Sequence, residues 1–229
     1  MSKEQKEESL KEEKLAVYGL KKVFGRKTAV AGIDFSMSKG EIVGFLGQNG
    51  AGKTTAFYMI AGFIKPTEGK IMLGDREISK LPMYKRAKMG ISYLPQEASI
   101  FRGLNVADNI RSVLQLNEKN PDKVEQELDN LLKEFSIEHL RFSPSRALSG
   151  GERRRLEIAR ALAGHPTFIL LDEPLAGIDP IAVNDIKELA PLLHLRLAAL
   201  IFTPSQYSYW PLETFHPWKE YVPRKSAKE

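Results

Sequence analysis

The run Gly47-Gln48-Asn49-Gly50-Ala51-Gly52-Lys53-Thr54 has the residue types and spacing of a loop that holds phosphate. Its glycines let successive backbone N–H groups turn inward as an anion nest, and a helix starting where the loop ends adds the positive end of its dipole. Lys53 then reaches the β- and γ-phosphates of a nucleoside triphosphate, and the Thr54 hydroxyl can sit on Mg2+. Gly47, Asn49, Gly50, Gly52, Lys53, Thr54 and Thr55 are therefore the expected nucleotide-binding residues of this segment. Such a loop needs a carboxylate on the metal side, and the apolar run Phe168 to Leu171 ends in Asp172 and Glu173. Asp172 would hold Mg2+ through its shell. Glu173, next along, is placed to orient or deprotonate the attacking water, so nucleotide hydrolysis is the leading chemistry. A second anion site is legible at Leu148-Ser149-Gly150-Gly151-Glu152, where a hydroxyl and two glycines open a helix carrying Arg153, Arg154 and Arg155.

The elements needed to position these residues follow from hydrophobic periodicity. Residues 41–46 form a short apolar run ahead of the glycines, and residues 54–64 are apolar at helical spacing, which together predict strand, loop and helix. A turn over residues 65–69 leads into an edge-type strand at 70–73, and residues 90–94 predict a buried strand ending at Pro95. Residues 105–116 and 122–135 carry apolar positions at helical spacing, so 97–150 reads as a helical insert. The alternation resumes with a helix over 151–163 and the continuous apolar strand 168–171, the pattern of a parallel sheet covered on both faces.

Size and composition bound the rest. At 229 residues the chain has room for one large domain or a core with an inserted subdomain, and 42% hydrophobic residues suffice for a substantial core. The absence of cysteine excludes disulfides, thiolate metal sites and a cysteine nucleophile. A net charge of +5 favours an anionic partner or surface without specifying nucleic acid. Residues 1–14 alternate Lys and Glu, unlike a secretory or transit segment, and read as a solvated lead-in. No apolar run approaches the roughly 18 to 20 residues of a membrane span, so the chain is expected not to cross a membrane itself.

The Ser149 pentapeptide, set about twenty residues before Asp172 and Glu173, resembles the signature motif of ABC (ATP-binding cassette) ATPases. The resemblance implies an α/β phosphate-loop core of RecA-like type, with a mostly parallel sheet, an antiparallel N-terminal β part and an inserted helical subdomain. It implies that Ser149, Gly150 and Gly151 close over the γ-phosphate of ATP held by a partner subunit. It makes Gln96 the glutamine that touches the metal and water, Phe24 the aromatic that stacks on adenine, with Tyr18 as the alternative platform, and Asp179 an aspartate at the dimer interface. Glu173, Gln96 and Asp172 are then the catalytic set, and Thr54, Gln96 and Asp172 the Mg2+ set. Residues 57–59, 93–101, 151–162, 171–174 and 179–189 further resemble the lipopolysaccharide-export ATPases of that family. That narrower likeness implies a head-to-tail homodimer on the cytoplasmic face of the inner membrane, beneath two permease subunits, with no nucleic-acid partner. A short permease helix would dock near Phe101, Leu104 and Val106.

The resemblance covers residues 15–189. Beyond it, the family's histidine that contacts the γ-phosphate has no counterpart: at that distance the sequence reads Phe202-Thr203-Pro204-Ser205. His194 lies too early and His216 too late, and His139 and His165 read as surface residues. Pro204, Pro211, Pro217 and Pro223 recur too often for a long helix or a central strand, while both tryptophans fall in the same segment. Residues 190–229 are therefore expected to form an atypical C-terminal segment, and a nucleotide-binding cassette without turnover is the alternative function.

Overall fold

A computed structural model describes residues 14–47, 51–172, 198–204 and 218–221. Its first sheet is antiparallel and contains β1 (Lys14–Phe24), β2 (Lys27–Ala31), β3 (Phe35–Ser38), β5 (Glu68–Leu73) and β6 (Arg76–Glu77). The order runs β2-β1-β5-β6, with β3 also paired to β1. The strand expected at the edge, β5, lies inside this sheet, because the short β6 folds back and covers it. The second sheet has the order β10-β4-β9-β8-β7 and is parallel at every pairing. It is built from β4 (Ile42–Gly47), β7 (Ile91–Leu94), β8 (Phe168–Asp172), β9 (Ala198–Pro204) and β10 (Trp218–Tyr221).

This topology corrects the expectation for the C-terminal segment. β9 lies in the middle of the sheet, between β4 and β8, and β10 flanks β4. The prolines permit it because Pro204 is the last residue of β9, and Pro217 and Pro223 lie outside β10, so ladder donors are lost only at strand ends. The sheet thus extends beyond residue 189, whereas Asp179, His194 and His216 lie outside the described residues.

The strand β8 shows why the sheet is covered on both faces. Phe168 and Leu170 pack with Val43, Phe57, Ile60 and Ile71 in the layer between the two sheets, while Ile169 and Leu171 pack with Leu94, Leu128, Leu156 and Ile158 on the other side. Successive side chains alternate faces, and all four are at most 2% exposed, each contributing roughly 2 kcal/mol of burial. The helix α1 (Lys53–Ala61) belongs to the first layer. It ends at Gly62, whose φ of 93° is left-handed and whose missing Cβ would lie 2.9 Å from Arg86 Nε. Arg86, on α2 (Met83–Ala87), is buried and donates to the carbonyls of Met59 and Ile60 at 2.7 Å each, and to those of Leu81 and Ser79. Burial pushes its guanidinium down to about 10, so it is still a cation at neutral pH, set at the negative end of α1.

Between β7 and β8 lie α3 (Val106–Asn117), α4 (Pro121–Glu134), two short 3₁₀ turns and α5 (Gly150–Leu162). Each helix starts on a side-chain cap: Asn105 accepts from Asp108 N–H, Asn120 from Asp122 N–H, and Ser149 from Glu152 N–H. Arg111 and Arg141 both pair with Glu125, tying α3 and the turn after α4 to the middle of α4. Among the described residues no helix is long and apolar enough to cross a membrane.

Candidate nucleotide site at the carboxyl edge of the parallel sheet

Parallel pairing brings the ends of four strands to one edge. Gly47 is level with Pro204, Asp172 with Phe202, and Leu94 with Leu171, so β4, β7, β8 and β9 all finish there. In open parallel sheets this is the edge where ligands bind. The loop that leaves β4 re-enters the described structure at Ala51 and starts α1 at Lys53, which is 3% exposed. Gly52 caps the helix at φ 80° and ψ 10°. A Cβ there would lie 2.0 Å from the carbonyl oxygen of Ala29 on β2, so the backbone of the antiparallel sheet presses directly against the loop. Thr54 is exposed and Thr55 half-buried on the first turn of the same helix.

Asp172 ends β8 with only 3% exposure, and its Oδ2 accepts a hydrogen bond from the Tyr93 hydroxyl at 3.0 Å. Desolvation raises the Asp172 carboxyl above its usual range, against the opposing pull of the Tyr93 hydrogen bond and the charge of Arg154. Tyr93 is in turn pushed above the ordinary phenol value, by burial first and then by Asp172. The tyrosine takes one of about four lone-pair sites of an ionised carboxylate. Thr54 and Asp172 supply oxygen donors only, and among the described residues no three His, Cys, Asp or Glu side chains gather. That set fits Mg2+, which uses one or two protein ligands together with phosphates and water.

Gln96 is exposed two residues past the end of β7, in a loop held down by α5. Arg154 Nη1 donates to the Pro95 carbonyl at 3.1 Å and to Glu157 Oε2 at 2.9 Å, and Glu157 Oε1 accepts from the Ser99 N–H at 2.8 Å. Both members of this pair are at least 95% buried at the side chain. Arg160 bonds to Ser99 and lies 4.7 Å from the centre of the Phe101 ring. The arginines that follow Ser149 are therefore internal fasteners: Arg153 donates to the Leu148 carbonyl and Arg155 to that of Phe135. Their spacing, i and i+3 for Arg154 and Glu157 on a helix with an apolar face, was the available signal for the buried pair.

Ser149 and Gly150 are exposed at the start of α5, and Gly151 is half-buried. A reciprocal capping box fixes this turn, with Ser149 N–H donating to Glu152 Oε2 at 2.8 Å. The Glu152 carboxyl is held below its usual range by the Ser149 side chain and backbone. Phe24 is 52% exposed at the end of β1, with the Lys22 ammonium 5.1 Å from its ring centre; Tyr18 is 53% exposed on the same strand. Of the three residues expected along a docking groove, Phe101 and Leu104 are exposed, but Val106 is completely buried. Val106 opens α3 and points into the core with Ile110, which removes it from any surface contact. His139 and His165 are exposed. Asn49, Gly50, Glu173 and Asp179 lie outside the described residues. Tyr93, Arg154 and Glu157 complete the site and are absent from the sequence-derived set.

The profile of the ABC transporter family matches residues 30–176. A probable ABC transporter ATP-binding protein of Azorhizobium caulinodans is 56% identical over 189 residues, covering 82% of this chain and 67% of the relative. The lipopolysaccharide export system ATP-binding protein LptB of Escherichia coli K12 is 51% identical over 187 residues, covering 81% of this chain and 77% of LptB. Among solved structures, cbiO1 of Clostridium perfringens, part of the ABC transporter complex cbiONQ, superposes with a TM-score of 0.75 at 31% identity, over 83% of this chain and 78% of that one. The ADP conformation of MJ1267, an ATP-binding cassette of an ABC transporter, superposes at 0.73 with 26% identity, over 83% and 80%. With its phosphate loop, Asp172 and Ser149 turn on this architecture, the chain belongs to the ABC transporter family as an ATP-binding subunit.

Proposed function

We propose that this chain is the ATP-hydrolysing subunit of a lipopolysaccharide exporter, and the observation that carries the reading is the likeness to LptB together with the carboxyl-edge site. Lys53 and the backbone of residues 47–54 would bind the phosphates of ATP, and Thr54, Asp172 and Gln96 would hold Mg2+. Held there, Mg2+ would supply positive charge that offsets the negative charge developing in phosphoryl transfer. Glu173 orients the attacking water and accepts its proton. Ser149, Gly150 and Gly151 of one copy close over the γ-phosphate held by the other, which makes the working unit a head-to-tail homodimer. Phe24 stacks on adenine and Asp179 lies at the dimer interface. Residues 97–150 act as the helical subdomain, and the exposed Phe101 and Leu104 contact one of two transmembrane permease subunits at the cytoplasmic face of the inner membrane.

A second reading has its own support. The strand β9 delivers Pro204 level with Gly47, beside the phosphate loop, and the stretch Phe202-Thr203-Pro204-Ser205, at about the distance of the family's histidine, carries none. Loss of one preorganised donor to the transferring group lowers rate by about 10²- to 10³-fold, with binding retained. Steady-state phosphate release from Mg-ATP, with Glu173→Gln as the control, separates the two. Turnover on the order of one per second or more that Glu173→Gln abolishes supports the motor. Saturable ATP binding without turnover above that control supports the silent cassette.

A further inference from the structure

The side chain that touches the buried carboxylate of the site comes from the neighbouring strand. Tyr93 lies on β7 level with Leu170 of β8, and Asp172 stands two residues further along β8 on the same face. The hydroxyl reaches Asp172 Oδ2 at 3.0 Å. The ring is flanked by Phe63 at 5.2 Å and 72° and by Tyr58 at 6.1 Å and 79°, and the Tyr58 side chain also hydrogen-bonds with that of Tyr93. Both are edge-on contacts of the kind that fix ring orientation. Tyr58 lies on the last two turns of α1 and Phe63 just after the Gly62 cap, so the helix that begins at Lys53 also supports the tyrosine that holds Asp172.

We infer that Tyr93 is a positioning residue for Asp172: its hydroxyl, held by the Tyr58 and Phe63 rings, fixes the carboxylate in the orientation that presents its remaining lone pairs to the metal of a bound metal–nucleotide complex. The inference rests on the proposed reading of this edge as a Mg-ATP site. A tyrosine that only filled space would need its ring and not its hydroxyl. Here the hydroxyl ends on the carboxylate that terminates the strand, with Tyr58 as a further hydrogen-bond partner, while the ring packs against two other aromatics. Outer-shell hydrogen bonds of this type typically account for 10- to 100-fold in metal affinity.

The test uses the full chain with a non-hydrolysable ATP analogue and Mn2+ as the metal probe, following free Mn2+ by electron paramagnetic resonance. Tyr93→Phe keeps the ring and removes the hydroxyl; Phe63→Leu weakens the clamp and keeps it. The expected result is an Mn2+ Kd raised about tenfold in Tyr93→Phe and raised by a smaller factor in Phe63→Leu, with analogue affinity in EDTA the same as in the native chain for both. An unchanged Mn2+ Kd in Tyr93→Phe overturns the assignment, as does a parallel loss of analogue affinity in EDTA. A Tyr93→Phe chain without a cooperative melt also overturns it, because the hydroxyl would then be needed for folding. If the native chain binds neither analogue nor Mn2+, the nucleotide reading itself fails, an outcome distinct from a native site that binds both while Tyr93→Phe matches it.

Discussion

Removing the Glu157 carboxylate strands a buried cation and an amide at once, and the consequence can be worked through. Arg154 and Glu157 are 2.9 Å apart at 5% and 3% side-chain exposure, which at an effective dielectric of about 20 gives an attraction of about 6 kcal/mol before desolvation. Burial lowers the Arg154 guanidinium from its ordinary value even with Glu157 beside it, the mark of a charge taken out of water. Breaking one partner of such a pair costs about 3–5 kcal/mol, and the orphaned Ser99 N–H adds about 1–3 kcal/mol, partly relieved by water. Glu157→Ala should therefore lose about 4 kcal/mol in urea unfolding. Glu157→Gln, which keeps an acceptor for Ser99, should lose less, and Arg154→Met with Glu157→Leu should lose less than the two single losses summed. The functional effect follows from what the pair grips. Pro95 and Ser99 bracket Gln96, which the proposed function sets on the metal, and a displacement of about 1 Å at a reacting centre can cost on the order of 10²-fold in rate. Phosphate release should fall far more than ATP binding in EDTA. Single losses under 1 kcal/mol, or additive ones, would refute the reasoning.

Other substitutions separate the remaining supports. Gly52→Ala faces both a left-handed φ and a contact of 2.0 Å with the Ala29 carbonyl, so ATP affinity by calorimetry should fall more than tenfold and stability by more than about 2 kcal/mol. Arg86→Met leaves four carbonyl acceptors without their donor and should cost about 3–5 kcal/mol in thermal or urea unfolding; Arg86→Lys should recover only part, since one ammonium cannot span the same acceptors. Ser149→Ala removes the cap of α5, with an expected loss of about 1 kcal/mol. Because the Glu152 carboxyl is depressed in the folded chain, its contribution is present above the ordinary glutamate value and is lost as pH falls through the folded value; Glu152→Gln and native unfolding curves should differ at pH 7 and converge once pH falls below that depressed value.

Much of the site was legible because its chemistry is local in sequence. The phosphate loop, the strand ending in Asp172 and the Ser149 turn each carry their own residues in order, and glycine at position 52 announces a left-handed cap that only the fold explains through Ala29. The residues that escaped are those whose role exists only across elements. Tyr93 looks like any aromatic on a buried strand until β7 is set beside β8, and Arg154 looks like one of three solvated arginines until α5 is packed on the loop after β7. Val106 was misplaced for the same reason: its sequence neighbours Phe101 and Leu104 are surface residues, and a single helix start turns it inward. The strand β9 was obscured by counting prolines without asking on which side of a ladder each would fall.

The central claim is that a triphosphate is held at the carboxyl edge by the loop around Lys53. Calorimetric titration of the purified chain with Mg-ATP tests it most directly, with Lys53→Ala alongside. Saturable binding in the micromolar to low millimolar range in the native chain, weakened at least tenfold in Lys53→Ala, is the predicted result. A folded native chain that gives no heat with Mg-ATP, or a Lys53→Ala chain that binds equally well, would contradict it.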